Sequence, residues 1–187
     1  MFLAMKRLFY FALLSVGFLF LTISCAEEQD FGQIDDLSIT PTLTSGIFYL
    51  EADEATINEA GALNSFYFQE INFDAFNEQY VAERLLEGVI TYEIDNTTSK
   101  ELRLIIEFLD EAGRPLDTEV FTIEADPSET VVREVPYGPD GKSIDILANT
   151  SSLRVLANNL GDGTSVSSAE DPKIILRSGA EFLFELQ

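Results

Sequence analysis

Two segments of this chain alternate apolar and polar side chains with a period of two, the pattern of a strand with one buried face. In residues 88–95, Ile90, Tyr92 and Ile94 alternate with polar side chains. In residues 102–109, apolar residues at every second position alternate with Arg103 and Glu107. Because successive side chains of a strand point to opposite faces, each segment predicts a strand that packs one face against a core.

Weaker alternation recurs along the rest of the chain. The further predicted strands are residues 47–51, 120–124, 130–135, 153–158, 173–177 and 181–186. Residues 96–99, 110–115, 126–128 and 139–141 separate some of these segments, and their Asn, Asp, Gly and Pro side chains favour tight turns. Many short strands separated by such turns predict a mainly β, antiparallel β-sandwich.

Two segments depart from the strand pattern and predict short helices. Asp74 is placed to cap a helix that carries Phe76 and Tyr80 on one face. Residues 143–148 predict a second helix of one or two turns that crosses between the sheets.

The beginning of the chain has a different pattern. Lys6 and Arg7 precede an apolar run over residues 8–20, and the sequence then reaches Cys25, its single cysteine. A basic start, an apolar centre and a small residue before the cleavage point are typical of a secretion signal. This segment resembles a bacterial lipoprotein signal peptide, in which the cysteine carries the lipid. An uncleaved anchor or plain secretion is the alternative, because residues 8–26 hold 19 uncharged residues and about 20 span a bilayer.

The resemblance implies acyl chains such as palmitate on Cys25 and divides the chain into three parts. These are a signal peptide (1–24), the lipidated cysteine with an acidic tether (25–37) and a β-sandwich domain (38–187). Thr22 departs from the pattern, since lipoprotein signals carry Leu, Val or Ile three residues before the cysteine. Residues 26–30 resemble the acidic export signal of Bacteroidetes lipoproteins, and a solvated acidic tether is the alternative. The expected location is the cell envelope, as an outer membrane lipoprotein that faces the cell surface or the periplasm.

A second resemblance covers about residues 86–137. The strand that ends at Asn96, the turn with Asp110 and Gly113 and the loop with Pro127 resemble FxLYD-type and related immunoglobulin-like domains of secreted bacterial proteins. The resemblance implies an immunoglobulin-like β-sandwich, and its turn motifs carry no chemistry. The whole chain also resembles small surface lipoproteins of the Bacteroidetes group.

The charge of the chain excludes nucleic acid as a partner. The sequence has 33 acidic and 11 basic residues, and without residues 1–24 the balance is 33 to 9, a net charge of −24. A nucleic-acid binder needs clustered Lys and Arg. Histidine is absent and the single cysteine is assigned to lipid, which excludes disulfides, His/Cys zinc sites and Ser-His or Cys-His nucleophiles.

Carboxylates are the remaining candidates for catalysis. Glu51, Asp53 and Glu54 form one cluster in the sequence, and Glu170 and Asp171 form another. Two carboxyl groups are the minimum that a glycoside hydrolase requires. With 33 acids in the chain some neighbour each other by chance, and no tryptophan offers a platform for a sugar, so we expect no catalytic residues.

Residues 158–164 form the loop that is richest in oxygen ligands. Asn158, Asn159 and Asp162 are the candidate calcium ligands there, because Ca²⁺ binds carboxylate and amide oxygens. A flexible turn is the alternative.

Together these patterns predict a membrane-anchored lipoprotein with a non-catalytic structural or interaction role at the cell envelope. The expected partners are the lipid bilayer, through acylated Cys25, and an envelope protein or glycan, and no cofactor is expected. A calcium- or glycan-binding module is the alternative, and a carboxylate-dependent hydrolase is the third hypothesis.

Overall fold

The computed structural model describes residues 39–73, 76, 79–126 and 129–186, together with Lys6, Arg7 and Tyr10. Cys25, the acidic tether and almost all of the predicted signal peptide lie outside the described residues. None of the helices in the described part of the chain is long and apolar enough to cross a membrane. Residues Ser38–Leu186 form one compact unit.

The described residues of this unit form eight strands and three short helices. In chain order they are β1 (Thr42–Asp53), α1 (Glu54–Ala60), β2 (Ser65–Asn72), α2 (Gln79–Ala82), β3 (Leu85–Asn96), β4 (Leu102–Leu109), β5 (Pro115–Ile123), β6 (Val131–Tyr137), α3 (Ile144–Ala148), β7 (Ser152–Asn159) and β8 (Lys173–Phe184).

The strands pair into two antiparallel four-stranded sheets. Sheet 1 has the order β1-β8-β3-β6, and sheet 2 has the order β2-β7-β4-β5. Consecutive strands lie in different sheets, except for the hairpin of β4 and β5. Eight strands wound in this way form a jelly roll.

The prediction of a mainly β, antiparallel sandwich is therefore confirmed, but the immunoglobulin-like form needs correction. An immunoglobulin sandwich keeps its first two strands as neighbours in one sheet. Here β1 and β2 lie in different sheets, and each pairs with a strand far away in the sequence, β1 with β8 and β2 with β7. The apolar period and the turn residues predict where the strands lie in the sequence. The order of the strands in the sheets depends instead on pairing between strands that are far apart in the sequence.

The core lies between the two sheets and follows the predicted alternation. In β3, Ile90, Tyr92 and Ile94 are buried, and the residues between them are half-buried or exposed. In β4 the apolar residues of the predicted alternation are buried in the same way. Strands β7 and β8 alternate similarly, so the four central strands supply most of the apolar layer.

Strand β8 joins two segments that the sequence predicted as separate strands. Gly179 and Ala180 interrupt the apolar pattern, but β8 pairs with a strand on each side there. Gly179 lies opposite Gly46 of β1 and Thr91 of β3. Backbone hydrogen bonding from both neighbours therefore carries the strand through the small residues.

Two elements were not predicted, β2 and α1. In β2 the consecutive residues Phe66, Tyr67 and Phe68 hide the alternation. Helix α1 follows β1 directly, and Asp53 caps it by accepting a hydrogen bond from the backbone N–H of Thr56 at 2.7 Å. An Asp at this place is a helix signal, but here it also ends a strand.

The predicted helix at residues 143–148 is confirmed as α3, capped by the Ser143 side chain. The other predicted helix, capped by Asp74, begins outside the described residues, and α2 covers only the later part of that segment. Phe76 is buried there against Phe182, with ring centroids 5.1 Å apart.

The connections divide between the two ends of the sandwich. At the α1 end lie the β1–β2, β3–β4, β5–β6 and β7–β8 connections. At the α3 end lie the β2–β3, β4–β5 and β6–β7 connections. Ile39 and Leu186, which pair with each other, also lie at the α3 end, so the residues before the jelly roll enter it at that end.

Gly88 allows α3 to pack closely on β3, which gives a first testable prediction. A Cβ atom at Gly88 would lie 2.7 Å from Cδ1 of Leu147 and 3.1 Å from Cδ1 of Phe182. We expect Gly88→Ala to lower the free energy of unfolding by about 1–3 kcal/mol, because overpacking a core forces side chains off their rotamers. Gly46→Ala is the matched control, since nothing lies within 4 Å of its Cβ position. Equal losses for the two variants in urea unfolding would contradict this account of the packing.

Candidate functional site

A buried lysine organises the α1 end of the sandwich. Lys100 lies in the β3–β4 connection and is fully buried. Its Nζ donates to Oδ1 of Asp162 at 2.9 Å and to the carbonyl oxygen of Ser165 at 2.8 Å. The ammonium thus holds the β3–β4 connection against the β7–β8 connection.

Glu54, the first residue of α1, is buried beside this lysine. Its Oε1 accepts from the backbone N–H and the hydroxyl of Ser99, at 2.6 and 2.7 Å, and its Oε2 accepts from the N–H of Ser167 at 2.8 Å. Burial raises the pKa of Glu54, but these hydrogen bonds and the charge of Lys100 outweigh it, so that the pKa lies below its ordinary value of 4.5. Glu54 is therefore ionised at neutral pH.

The three calcium candidates do not converge on one position. Asn158 and Asn159 point to opposite faces of β7, and Asn159 is buried, donating to the carbonyl oxygens of Gly61 and Asp162. Asp162 accepts hydrogen bonds from Lys100, Thr164 and Ser165. The one carboxylate among the three candidates is thus bound to a cation of the chain itself.

The first predicted acid cluster is dispersed by the geometry of β1 and α1. Glu51 lies on the outer face of sheet 1, where its Oε1 accepts from Nζ of Lys173 at 3.0 Å and its Oε2 accepts from the hydroxyl of Tyr49. Asp53 caps α1, and Glu54 points into the sandwich. The hydrogen bond from Tyr49, followed by that from Lys173, lowers the pKa of Glu51, and hydrogen bonds from Thr56 lower that of Asp53.

The second predicted acid pair lies in the exposed β7–β8 connection. Asp171 forms an ion pair with Lys173 at 2.6 Å, and Glu170 is exposed. Asp171 therefore shares Lys173 with Glu51 instead of forming a site with Glu170.

A further, partly buried charge cluster joins β5 to β6 and the residues after it, and the sequence analysis missed it. Nζ of Lys142 donates to Asp117 at 2.6 Å and to Glu119 at 2.5 Å. Arg133 packs its guanidinium 3.6 Å from the ring centroid of Phe121. The hydroxyl of Tyr92 is buried nearby with no hydrogen-bond partner among the described residues. Burial and then the charge of Glu119 raise the pKa of Tyr92 above its ordinary value, which keeps the phenol neutral.

The α3 end carries a cleft of about 710 Å³. The β2–β3, β4–β5 and β6–β7 connections all contribute to its walls. Phe76, Leu116 and Ile146 supply apolar surface, and Glu111 and Asp145 supply carboxylates. A cleft of this size accommodates a small ligand.

The solvent-exposed face of sheet 2 carries an apolar row that crosses all four strands. Phe68 of β2 lies opposite Leu156 of β7, Leu156 lies opposite Ile105 of β4, and Ile105 lies opposite Val120 of β5. Phe68 is 64% and Val120 47% exposed, and the two central residues are half-buried. We call these four residues the apolar row.

The sequence contained a signal for this row that the strand pattern did not use. Ile105 stands between Leu104 and Ile106, where alternation calls for a polar residue. An extra apolar residue on the solvent-facing phase of a predicted strand marks an outer-face contact surface.

The two sheets differ in the charge of their outer faces. The strands of sheet 2 place two arginines, Arg103 and Arg154, and two glutamates, Glu70 and Glu107, around the apolar row. Arg154 bridges both glutamates, with N–O distances of 3.3 and 3.0 Å. The strands of sheet 1 carry mostly acids on their outer face, which include Glu51, Glu87, Glu93, Asp95, Glu134 and Glu181.

No group of three or more acidic, His or Cys side chains that could hold a metal ion occurs among the described residues.

Comparison with known proteins gives structural neighbours only. No family model matches the chain, and no curated protein matches it. The chain is similar to a subviral particle of infectious bursal disease virus, with 8% identity, a TM-score of 0.39 and coverage of 80% of this chain and 33% of that one. It is similar to a Parabacteroides distasonis protein predicted to be secreted, with 13% identity, a TM-score of 0.43 and coverage of 65% and 38%.

A third neighbour is the full particle of Israeli acute paralysis virus, with 13% identity, a TM-score of 0.39 and coverage of 86% of this chain and 81% of that one. The chain spans about a third of the length of the first two neighbours.

Lys100 gives a second testable prediction. We expect Lys100→Met to lower the free energy of unfolding by about 2–3 kcal/mol, because it leaves the partners of a buried ammonium without a counter-charge. Lys173→Met is the matched control: Lys173 binds the two carboxylates of Glu51 and Asp171 but is partly exposed, so we expect a loss of at most about 1 kcal/mol. Equal losses in chemical denaturation would show that burial of Lys100 does not matter.

The lowered pKa values at the α1 end predict how stability depends on pH. Glu51, Asp53, Glu54 and Asp162 all have pKa values lowered by folding. Their contribution is complete above the unfolded values of 4.5 for Glu and 3.8 for Asp, and it is lost as pH falls through the lower folded values. Stability should therefore fall steeply below about pH 4.

The variant Glu54→Gln tests how much Glu54, the buried member of these four carboxylates, contributes to the loss of stability at low pH. We expect it to cost about 2 kcal/mol at pH 7, since hydrogen bonds to a buried charge are stronger than neutral ones. The difference from the unmodified chain should shrink as pH falls below 4.5 and through the lowered pKa of Glu54, because Glu54 itself then becomes protonated. A difference that stays constant from pH 7 to pH 3 would exclude ionised Glu54 as its cause.

Proposed function

We propose that this chain is a lipoprotein held at the bacterial cell envelope by acylated Cys25, and that its jelly roll is a non-catalytic interaction module. The anchor is supported by the apolar run that leads to the single cysteine. The observation that carries the interaction role is the apolar row on the outer face of sheet 2. A contiguous exposed apolar patch on a folded domain typically marks a binding surface.

The start of the described jelly roll and the apolar row lie on different parts of the fold. Ile39 lies at the α3 end, where it pairs with Leu186, whereas the apolar row lies on the outer face of sheet 2.

The carboxylates favour binding over catalysis. Glycoside hydrolysis needs one acid kept protonated at neutral pH next to an ionised partner. In the cluster of Glu51, Asp53 and Glu54 all three pKa values are lowered, and each carboxylate accepts hydrogen bonds from a different part of the fold. Asp117 and Glu119 both bind Lys142.

Binding of a small ligand such as a glycan is the second candidate function. The cleft at the α3 end favours it, because carboxylates and apolar side chains line the same 710 Å³ space. Loss of glycan binding on Asp145→Asn, without loss of stability, would identify this cleft as the ligand site.

Acyl labelling tests the proposed anchor. Cells that express the full chain with a labelled fatty acid should incorporate label, and Cys25→Ser should abolish it and release the protein from the membrane fraction. Cys25→Ser combined with Ser45→Cys is the control, because a cysteine elsewhere should not restore labelling. Thr22→Leu should label at least as well as the unmodified chain, since it restores the residue of the lipoprotein pattern. Label that survives Cys25→Ser, or turnover of glycosides that Glu51→Gln abolishes, would overturn the proposal.

A further inference from the structure

Residues on the two sides of the apolar row carry opposite charges at matching distances from it. On β4, Arg103 and Glu107 lie two residues before and two residues after Ile105. Because side chains on one face of a strand repeat every second residue, both point to the same face as Ile105, about 7 Å to either side. Arg103 is exposed and forms no ion pair with any described residue.

We infer that a second copy of this chain is the partner of the face, packed on it around a two-fold axis that runs along the apolar row. This axis places each residue of the row against its own counterpart. It also exchanges the two sides of the row, so that Arg103 of each copy faces Glu107 of the other.

The charges of the face fit this axis. Glu107 uses Oε2 for Arg154 of its own chain, and its second oxygen accepts from Arg103 of the second copy. Two sheets that pack face to face are about 10 Å apart, a gap that the long arginine and glutamate side chains span. A two-fold axis that runs along β4 instead of along the row would place Glu107 on Glu107 and Arg103 on Arg103, which is repulsive.

The size of the face sets the strength of the contact. Four strands of about eight residues cover roughly 19 by 27 Å, about 1,000 Å² for the two copies together, which is the lower limit for a specific interface. The contact is therefore weak in dilute solution. It depends in this respect on the proposed anchor, because confinement to a membrane raises the effective concentration of two tethered copies.

Cross-linking in cells that express the full chain tests the two-fold axis. Ile105→Cys places a thiol on the axis, where it faces its own counterpart, and cysteine still packs as a small apolar residue. A bis-maleimide that spans about 10 Å should join two copies. Glu93→Cys, on the outer face of sheet 1, is the matched control and should give little product.

A charge swap then tests the pairing itself. In the Ile105→Cys background, Arg103→Glu and Glu107→Arg should each lower the yield of dimer at least about fivefold, because each sets like charges against each other. The double variant should give more dimer than either single one. Phe68→Asp, at an exposed position, should also lower the yield. Failure of the double variant to recover dimer, or equal cross-linking through Glu93→Cys, would overturn the inference.

Acyl labelling of the same cells separates the two proposals. If Cys25 carries no label, but the yield of dimer falls in the single charge variants and recovers in the double variant, the result supports the contact and rejects the anchor. If Cys25 is labelled, but the yield of cross-linked dimer is the same in all charge variants, the result supports the anchor and rejects the contact.

Discussion

Aromatic contacts across the layer between the sheets hold this protein together. The ring of Tyr92 in sheet 1 meets that of Phe121 in sheet 2 edge-on, with centroids 5.2 Å apart, and Phe108 of sheet 2 lies 6.1 Å from Tyr137 of sheet 1. Since all connections but one cross from sheet to sheet, neither sheet can form its inner face without the other. The described part of the chain has no cysteine, so its stability depends on packing in this single layer and not on the disulfides that small secreted domains use.

Buried charges contribute to closing the α1 end of the layer, whereas the α3 end is closed by apolar side chains such as Phe76 and Leu147. At the α1 end, Lys100 and Glu54 are withdrawn from water, and each is surrounded by hydrogen-bond partners from neighbouring connections. Burial of an ion is costly unless its partners are complete. These two residues therefore fix the geometry of the β3–β4 and β7–β8 connections relative to each other. Lys100 also supplies the counter-charge of Asp162 from within the chain.

The sequence predicted local structure better than it predicted topology. The buried faces of β3 and β4 follow a period of two, and the segment after Ser143 indicated α3, because these signals depend on neighbouring residues. The jelly roll depends on β1 finding β8 more than a hundred residues later, and no local pattern carries that information. For the same reason nothing marked Lys100 as buried: between Ser99 and Glu101 it resembles any lysine of an exposed turn. Ile105 differs from Lys100, because it breaks the alternation visibly, although the strand prediction made no use of that break.

The distribution of charge determines which face is available for contact. The outer face of sheet 1 carries an excess of acids, so two such faces repel each other before they touch, even though salt limits this repulsion to about 8 Å. The outer face of sheet 2 has two arginines and two glutamates around the apolar row and gives no net repulsion at that range. The acidic face thus acts against wrong contacts between two copies, and the face without net charge is left for burial of apolar surface. A highly charged protein can in this way keep one specific contact, because its net charge lies outside the surface that we propose for binding.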